Sequence, residues 1–189
     1  MDNQSTQAIA FIEEMISKTK QKYSDSGFLF LLWGWLVFTA SITNYILLFI
    51  NAQYSFLGWA ILMPLGAVIS MIYSYVEKKK PYAKSYTDDV MKFTWIAFGV
   101  LLSCIILSSN LLQMYTYPLV MIAYGVPTFI TGGVLKFKPM KYGAIGNWIL
   151  GLLAFHYTMD IQLLILAVAI LIAYIIPGHI LRFQYLKNK

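Results

Sequence analysis

Charge is scarce in this sequence. Only 12% of its 189 residues are charged, while 59% are hydrophobic; a soluble domain needs roughly a quarter of its residues charged to coat its surface. The shortage is uneven, with long uncharged stretches between short clusters of lysine. That pattern excludes an ordinary water-soluble globule. Cysteine is all but absent: Cys104 stands alone, so no disulfide forms within a monomer, and the residue reads as a small side chain in a packed helix. The opening MDNQSTQ has neither the basic region nor the apolar stretch of a signal peptide. Insertion is therefore expected to rely on the first membrane-spanning helix. The apolar runs themselves hold no Asp, Glu, Lys or Arg, Arg182 lying just past the end of the last one. Proton-coupled pumps, voltage sensors and many ion-coupled carriers need such groups in the lipid core, so this lack argues against those mechanisms. A metal-binding cluster, a nucleophile–base pair at catalytic spacing and a phosphate-binding loop are missing too. No enzyme activity, cofactor, metal or nucleic-acid partner is expected.

What is present is apolar length. Mean hydropathy is +0.67, and six runs stand out at about 27–50, 55–76, 93–109, 117–135, 142–158 and 161–181. Each is long enough to cross a bilayer core about 30 Å thick, which takes roughly 20 helical residues. None alternates in and out as a barrel strand does. The expected fold is all-α: a polytopic membrane protein with six transmembrane helices over 27–189, behind a cytoplasmic segment 1–26. The connections alternate in character. NAQY, SNLLQMYT and TMD contain no Lys or Arg, whereas EKKKPYAKSYTDDVMK, KFKPMK, RFQYLKNK and the amino-terminal Lys18, Lys20 and Lys22 hold all fourteen. The positive-inside rule makes the basic side cytoplasmic. Both termini are therefore expected inside, with the bacterial inner membrane as the expected location. Seven of the eight acids lie on that side with the fourteen bases, an excess suited to anionic lipid headgroups or an acidic partner surface. Trp33, Trp35 and Trp95 read as anchors at the cytoplasmic interface, and Tyr54, Trp59, Tyr115 and Tyr117 at the external one.

One phrase occurs twice. IAYGVP (122–127) returns as IAYIIP (172–177), and TGGVLKF (131–137) is echoed by PGHILRF (177–183). Each copy lies in a helix running from outside to inside. Ala-x-x-x-Pro recurs in all three such helices, as Ala60–Pro64, Ala123–Pro127 and Ala173–Pro177. A helical proline removes one hydrogen bond and presses its ring on the carbonyl four residues back. A small residue there eases the crowding. The pattern suggests three hairpin units with kinked second arms, an internal repeat. Small residues at helical spacing (Gly66, Ser70 and Ser74; Ala169 and Ala173; Gly143, Gly146 and Gly151) let backbones approach closely. Packing within one chain accounts for them, and a homo-oligomer is compatible with them.

Residues 5–23 place Ile9, Ile12, Ile16, Thr19 and Tyr23 on one helical face and Glu13, Glu14, Lys18 and Lys22 toward the other. An amphipathic helix along the cytoplasmic headgroups fits this pattern; a docking helix for a partner is the alternative. The remaining polar side chains form two groups. Toward the outside are Thr43, Asn44, Ser108, Asn110, His156 and Asp160, and a continuous helix would put His156 and Asp160 on one face. Toward the inside are Thr128, Thr131, Asn147 and His179. Tyr124 and Tyr174 each stand three residues before a proline. From these residues a polar pathway or ligand site would draw Asn147, His179, Thr131, Tyr124, Tyr174, Asn44, His156 and Asp160. Such a pathway implies a small transporter- or channel-like protein for a neutral or weakly polar solute. The alternative is a non-enzymatic regulatory or anchoring subunit that binds a cytoplasmic partner.

Overall fold

The computed structural model describes residues 27–77 and 86–187, together with Gln7. The amphipathic segment expected over 5–23, and with it the cytoplasmic segment 1–26, lies outside the described residues. So does the basic connection 78–85. Every element among the described residues is helical. α1 (Gly27–Ile50) is followed by a 3-10 turn, then α2 (Leu57–Glu77), α3 (Tyr86–Leu107), the single turn α4 (Ser109–Leu112), α5 (Thr116–Val134), α6 (Lys138–Ala154) and α7 (Met159–Ile170). A π-helical turn, Leu171–Ile175, joins α7 to α8 (Ile176–Lys187). Hydrocarbon offers no partner for a free N–H or C=O, so uncharged runs close their own hydrogen bonds as helix even where β-branched residues are dense.

Five helical stretches are long and apolar enough to cross a membrane: Gly27–Ile50, Ala52–Val76, Thr87–Leu107, Ser109–Val134 and Met159–Gln184. The remaining expected span corresponds to α6, whose 17 residues reach about 25 Å at 1.5 Å per residue. Its position corrects the sequence reading, since α6 begins four residues earlier than 142 and ends at Ala154. α3 likewise starts at Tyr86 rather than near 93, bringing Asp88, Asp89 and Lys92 into the helix.

The α5–α6 connection shows why the boundary moved. The Phe137 N–H donates to the Gly132 carbonyl at 2.9 Å and the Lys136 N–H to the Gly133 carbonyl at 3.1 Å. Lys136 has φ of 50°. This is a Schellman stop, two bonds closing over a left-handed residue. Pro139 then lies in the first turn of α6, where its missing N–H costs nothing. At the far end, the Gln162 side-chain amide donates to the carbonyls of Ala154 at 3.1 Å and Tyr157 at 2.9 Å. It ends α6 from the neighbouring helix.

α5 and α6 pair along their whole length, and α1 packs on α7, the π turn and α8. The Ser41 hydroxyl donates to the Leu163 carbonyl at 2.7 Å, pinning α1 to α7 in a buried position. α2 leans on α1, and α3 on α5; α2 and α3 make no substantial contact with each other. A cleft separates them. The described Lys and Arg residues (Lys92, Lys136, Lys138, Lys141, Arg182 and Lys187) gather at one end of the bundle. A methyl group on Gly27 would touch Arg182 Cβ at 3.8 Å, and one on Gly132 the Lys141 backbone N at 2.9 Å; Lys92 shares a cavity with Leu29 and Phe30.

Candidate functional site

The two tyrosines of the repeated phrase meet. Tyr124 on α5 and Tyr174 in the π turn pack edge to face, with ring centroids 5.6 Å apart. The Thr128 hydroxyl donates to the Tyr124 carbonyl at 2.7 Å. Its one proton thus committed, Thr128 accepts from the Tyr174 hydroxyl at 3.0 Å. Two further features hold the pair. The Trp148 indole N–H donates to the Ile122 carbonyl at 3.1 Å, and the indole lies where a side chain on Gly125 would stand. In the second copy that glycine is replaced by Ile175, which packs on Gly34 of α1. One difference between the copies thus has a local cause.

Tyr124 and Tyr174 form part of the wall of a cavity of about 450 Å³, with Phe30 and Trp33 from α1, Ser70 from α2, and Met91, Lys92, Trp95, Phe98 and Leu102 from α3. The rings interlock: Phe98 stands 4.6 Å from Tyr124 and 5.6 Å from Trp95, and Phe30 lies 6.2 Å from both Trp95 and Tyr174. Polar groups are few. The Trp33 indole N–H donates to the Ser70 hydroxyl at 3.1 Å, a tie between α1 and α2 across the cavity edge. Tyr124 is only 6% exposed, and its hydroxyl has no hydrogen-bond partner among the described residues. A second, more open hollow lined by Ala67, Ser70, Met71, Ser74, Tyr75, Trp95 and Ile96 continues from the first toward the α2–α3 cleft. The size and aromatic lining are those of a small-molecule site.

Of the residues read from the sequence, Tyr124 and Tyr174 reach this cavity. Asn147 and Thr131 do not. Asn147 is fully buried on α6 with neither amide atom paired among the described residues, and the Thr131 hydroxyl on α5 is likewise buried and unpaired among them. Asn44 is a structural knot. Oriented by its partners, its oxygen accepts from Trp59 Nε1 at 2.9 Å and the Tyr117 hydroxyl at 2.8 Å, while its nitrogen donates to the Ser55 carbonyl at 3.1 Å. It joins α1, the start of α2 and α5. The proposed His156–Asp160 face is corrected: α6 ends at Ala154 and α7 begins at Met159, so no helix carries both. His156 is exposed in the turn, and Asp160 sits in the first turn of α7, where a carboxylate complements the helix dipole. His179 is exposed on α8.

Sequence reasoning took Trp33 and Trp95 for interfacial anchors, whereas both face the cavity; Trp35, 48% exposed, keeps the outward position. It also passed over Ser41, Trp148 and Gln162. The signal that was available lay in Trp33 and Phe30, three apart on α1, and in Trp95 and Phe98, three apart on α3, each pair an aromatic stripe on one helix face. Among the described residues no group of His, Cys, Asp and Glu is placed to hold a metal ion. Comparison with known protein families, curated proteins and solved structures finds no match.

Proposed function

We propose that this chain is a transporter-like membrane protein for a largely apolar, weakly polar solute, which it receives in the aromatic cavity between α1, α2, α3, α5 and the π turn. The observation that carries the reading is the cavity itself. α2 and α3 stand apart over a wall of Phe, Trp and Tyr. The unpartnered Tyr124 hydroxyl supplies one donor at depth, enough to orient a solute with a single acceptor. The buried Asn147 and Thr131 belong to the packing and carry no pathway.

The same reading places the protein in a bacterial inner membrane with its basic end, and both termini, in the cytoplasm. Gathering of the described Lys and Arg at one end of the bundle supports it. That end would rest on anionic headgroups. The three hairpins would then be units of one repeat, whose phrases IAYGVP and IAYIIP supply two facing tyrosines. In a Cys104→Ser background, Lys79→Cys and Lys138→Cys are expected to react with a membrane-impermeant maleimide from the same face of sealed vesicles. Reaction from opposite faces overturns the threading.

Function is tested through Gly99, which borders the cavity and has nothing within 4 Å of where a side chain would start. Gly99→Phe adds a ring at this border from a Cβ that meets no neighbour. Native mass spectrometry of the protein extracted from its membrane is expected to show a retained small molecule on the wild type and none on Gly99→Phe. Reconstituted wild type, and not the variant, should move that molecule between vesicle compartments. A wild type without any retained molecule that instead co-purifies with a cytoplasmic protein would sink transport in favour of the regulatory-subunit reading.

A further inference from the structure

Among the described residues the cavity has one charged wall residue, Lys92, and its position selects a ligand class. Lys92 lies in the second turn of α3, at the basic end of the bundle, and Leu102 marks the other limit of the cavity on the same helix. Ten residues of helix separate them, about 15 Å at 1.5 Å per residue. The site is therefore long, apolar along its length and cationic at one end. Lys92 forms no ion pair among the described residues; its ammonium stands 5.7 Å from the centre of the Phe93 ring. Asp88 and Asp89 precede it in the first turn of α3, where they complement the helix dipole. Resting on the cavity reading above, we infer that the ligand is an anionic single-chain amphiphile, a long-chain carboxylate in chemical class. Its headgroup pairs with Lys92 and its chain lies against Trp33, Trp95 and Phe98.

Three further observations support that occupant. The second hollow is lined by α2 and α3 alone, between two helices long and apolar enough to cross a membrane, which offers a molecule already dissolved in the leaflet a route that does not cross water. Among the described residues, the hydrogen bond from Trp33 to Ser70 across the cavity edge is a single side-chain tie that a chain can pass beside. Lysine at the interfacial end keeps its charge near the headgroup layer, where a carboxylate also sits, so neither ion is carried into the hydrocarbon before they meet. A two-chain phospholipid would have to fit a second chain into a space already narrowed by Phe30 and Tyr174.

The test uses the full chain in zwitterionic nanodiscs, with quenching of tryptophan emission by dibromostearic acid, by its methyl ester and by brominated phosphatidylglycerol. Trp33 and Trp95 report the cavity directly. Saturable quenching by the acid is expected for the wild type, about tenfold weaker in Lys92→Met, as the loss of one charge-assisted contact implies. Lys92→Arg should recover most of it, and the uncharged ester should show no difference between wild type and Lys92→Met. Circular dichroism and thermal melting of each variant report folding independently. Equal binding of the acid by wild type and Lys92→Met overturns the charge assignment and leaves the cavity reading intact. Saturable quenching by brominated phosphatidylglycerol at the same affinity overturns the single-chain assignment. Wild type and Gly99→Phe giving the same unsaturable quenching by every probe would overturn the cavity reading itself.

Discussion

Gly125 and Trp148 show how tightly single residues are specified in this bundle. A methyl group on Gly125 would overlap the indole that reaches past it to the Ile122 carbonyl. Gly125→Ala must expel the ring or bend α5, and is expected to lower stability by about 2–3 kcal/mol, the cost of overpacking plus a lost hydrogen bond. Thermal unfolding in detergent measures it. Lys136 is the opposite case. Its φ of 50° strains a side-chain-bearing residue, so Lys136→Gly should stabilise by about 1 kcal/mol while removing one basic charge. Asn147 yields a third expectation. An amide with no partner pays desolvation for nothing, so Asn147→Leu should melt at the same temperature or higher and bind dibromostearate as the wild type does. A loss of binding on that substitution would place Asn147 in the site after all. At this scale the sequence was half legible. The doubled phrase marked Tyr124 and Tyr174, because a proline three residues on and an identical context are visible in letters. The roles of Trp33 and Trp95 were not, since distance from a helix end says how deep a residue lies and nothing about which way it faces.

At the scale of elements, the helices were readable and their ends were not. Long uncharged runs leave the backbone no choice but helix, so α1, α2 and α5 fall within two residues of their expected limits. α3 and α6 were misjudged because their first turns are charged, and a lysine in a helix start looks the same in sequence as a lysine in a loop. The π turn was also invisible. In it the Ile176 N–H donates to the Leu171 carbonyl, five residues back. Pro177 comes next and has no N–H, so the Ile172 carbonyl receives no such bond from it. That carbonyl faces Gly143 of α6, whose missing side chain would stand 2.9 Å from the oxygen and 2.8 Å from Ala173 Cα. The two backbones touch. Gly143→Ala is therefore expected to cost about 1–3 kcal/mol, read as a lower melting temperature. The prolines of the other two Ala-x-x-x-Pro segments, Pro64 and Pro127, sit inside α-helices that continue through them, so of three segments with one spelling only the third departs from α-helix.

On the scale of the whole molecule, the helices divide into a close-packed centre and two lightly held flanks. In the most apolar 18-residue windows of Ser109–Val134 and Met159–Gln184, 56% and 50% of the residues are buried, against 11% for Ala52–Val76 and 17% for Thr87–Leu107. The flanks, α2 and α3, are the two sides of the cleft. In a Cys104→Ser background, Ser74→Cys should react with a lipid-soluble maleimide presented from the bilayer, and Ala169→Cys, in the buried centre, should not. Equal reactivity would mean that the cleft is closed in the membrane. Hydropathy could announce that helices cross; which of them touch depends on contacts far apart in the chain, and no local pattern records those. The short α6 has a consequence of its own. At about 25 Å it falls roughly 5 Å below an average hydrocarbon thickness. On the six-span reading, lipids beside that helix would have to shorten or tilt their tails while those beside α1 would not, and the surrounding bilayer would be pinched on one flank. A protein shaped this way should prefer membranes of short or unsaturated acyl chains, and it would collect them around itself wherever the two kinds are mixed.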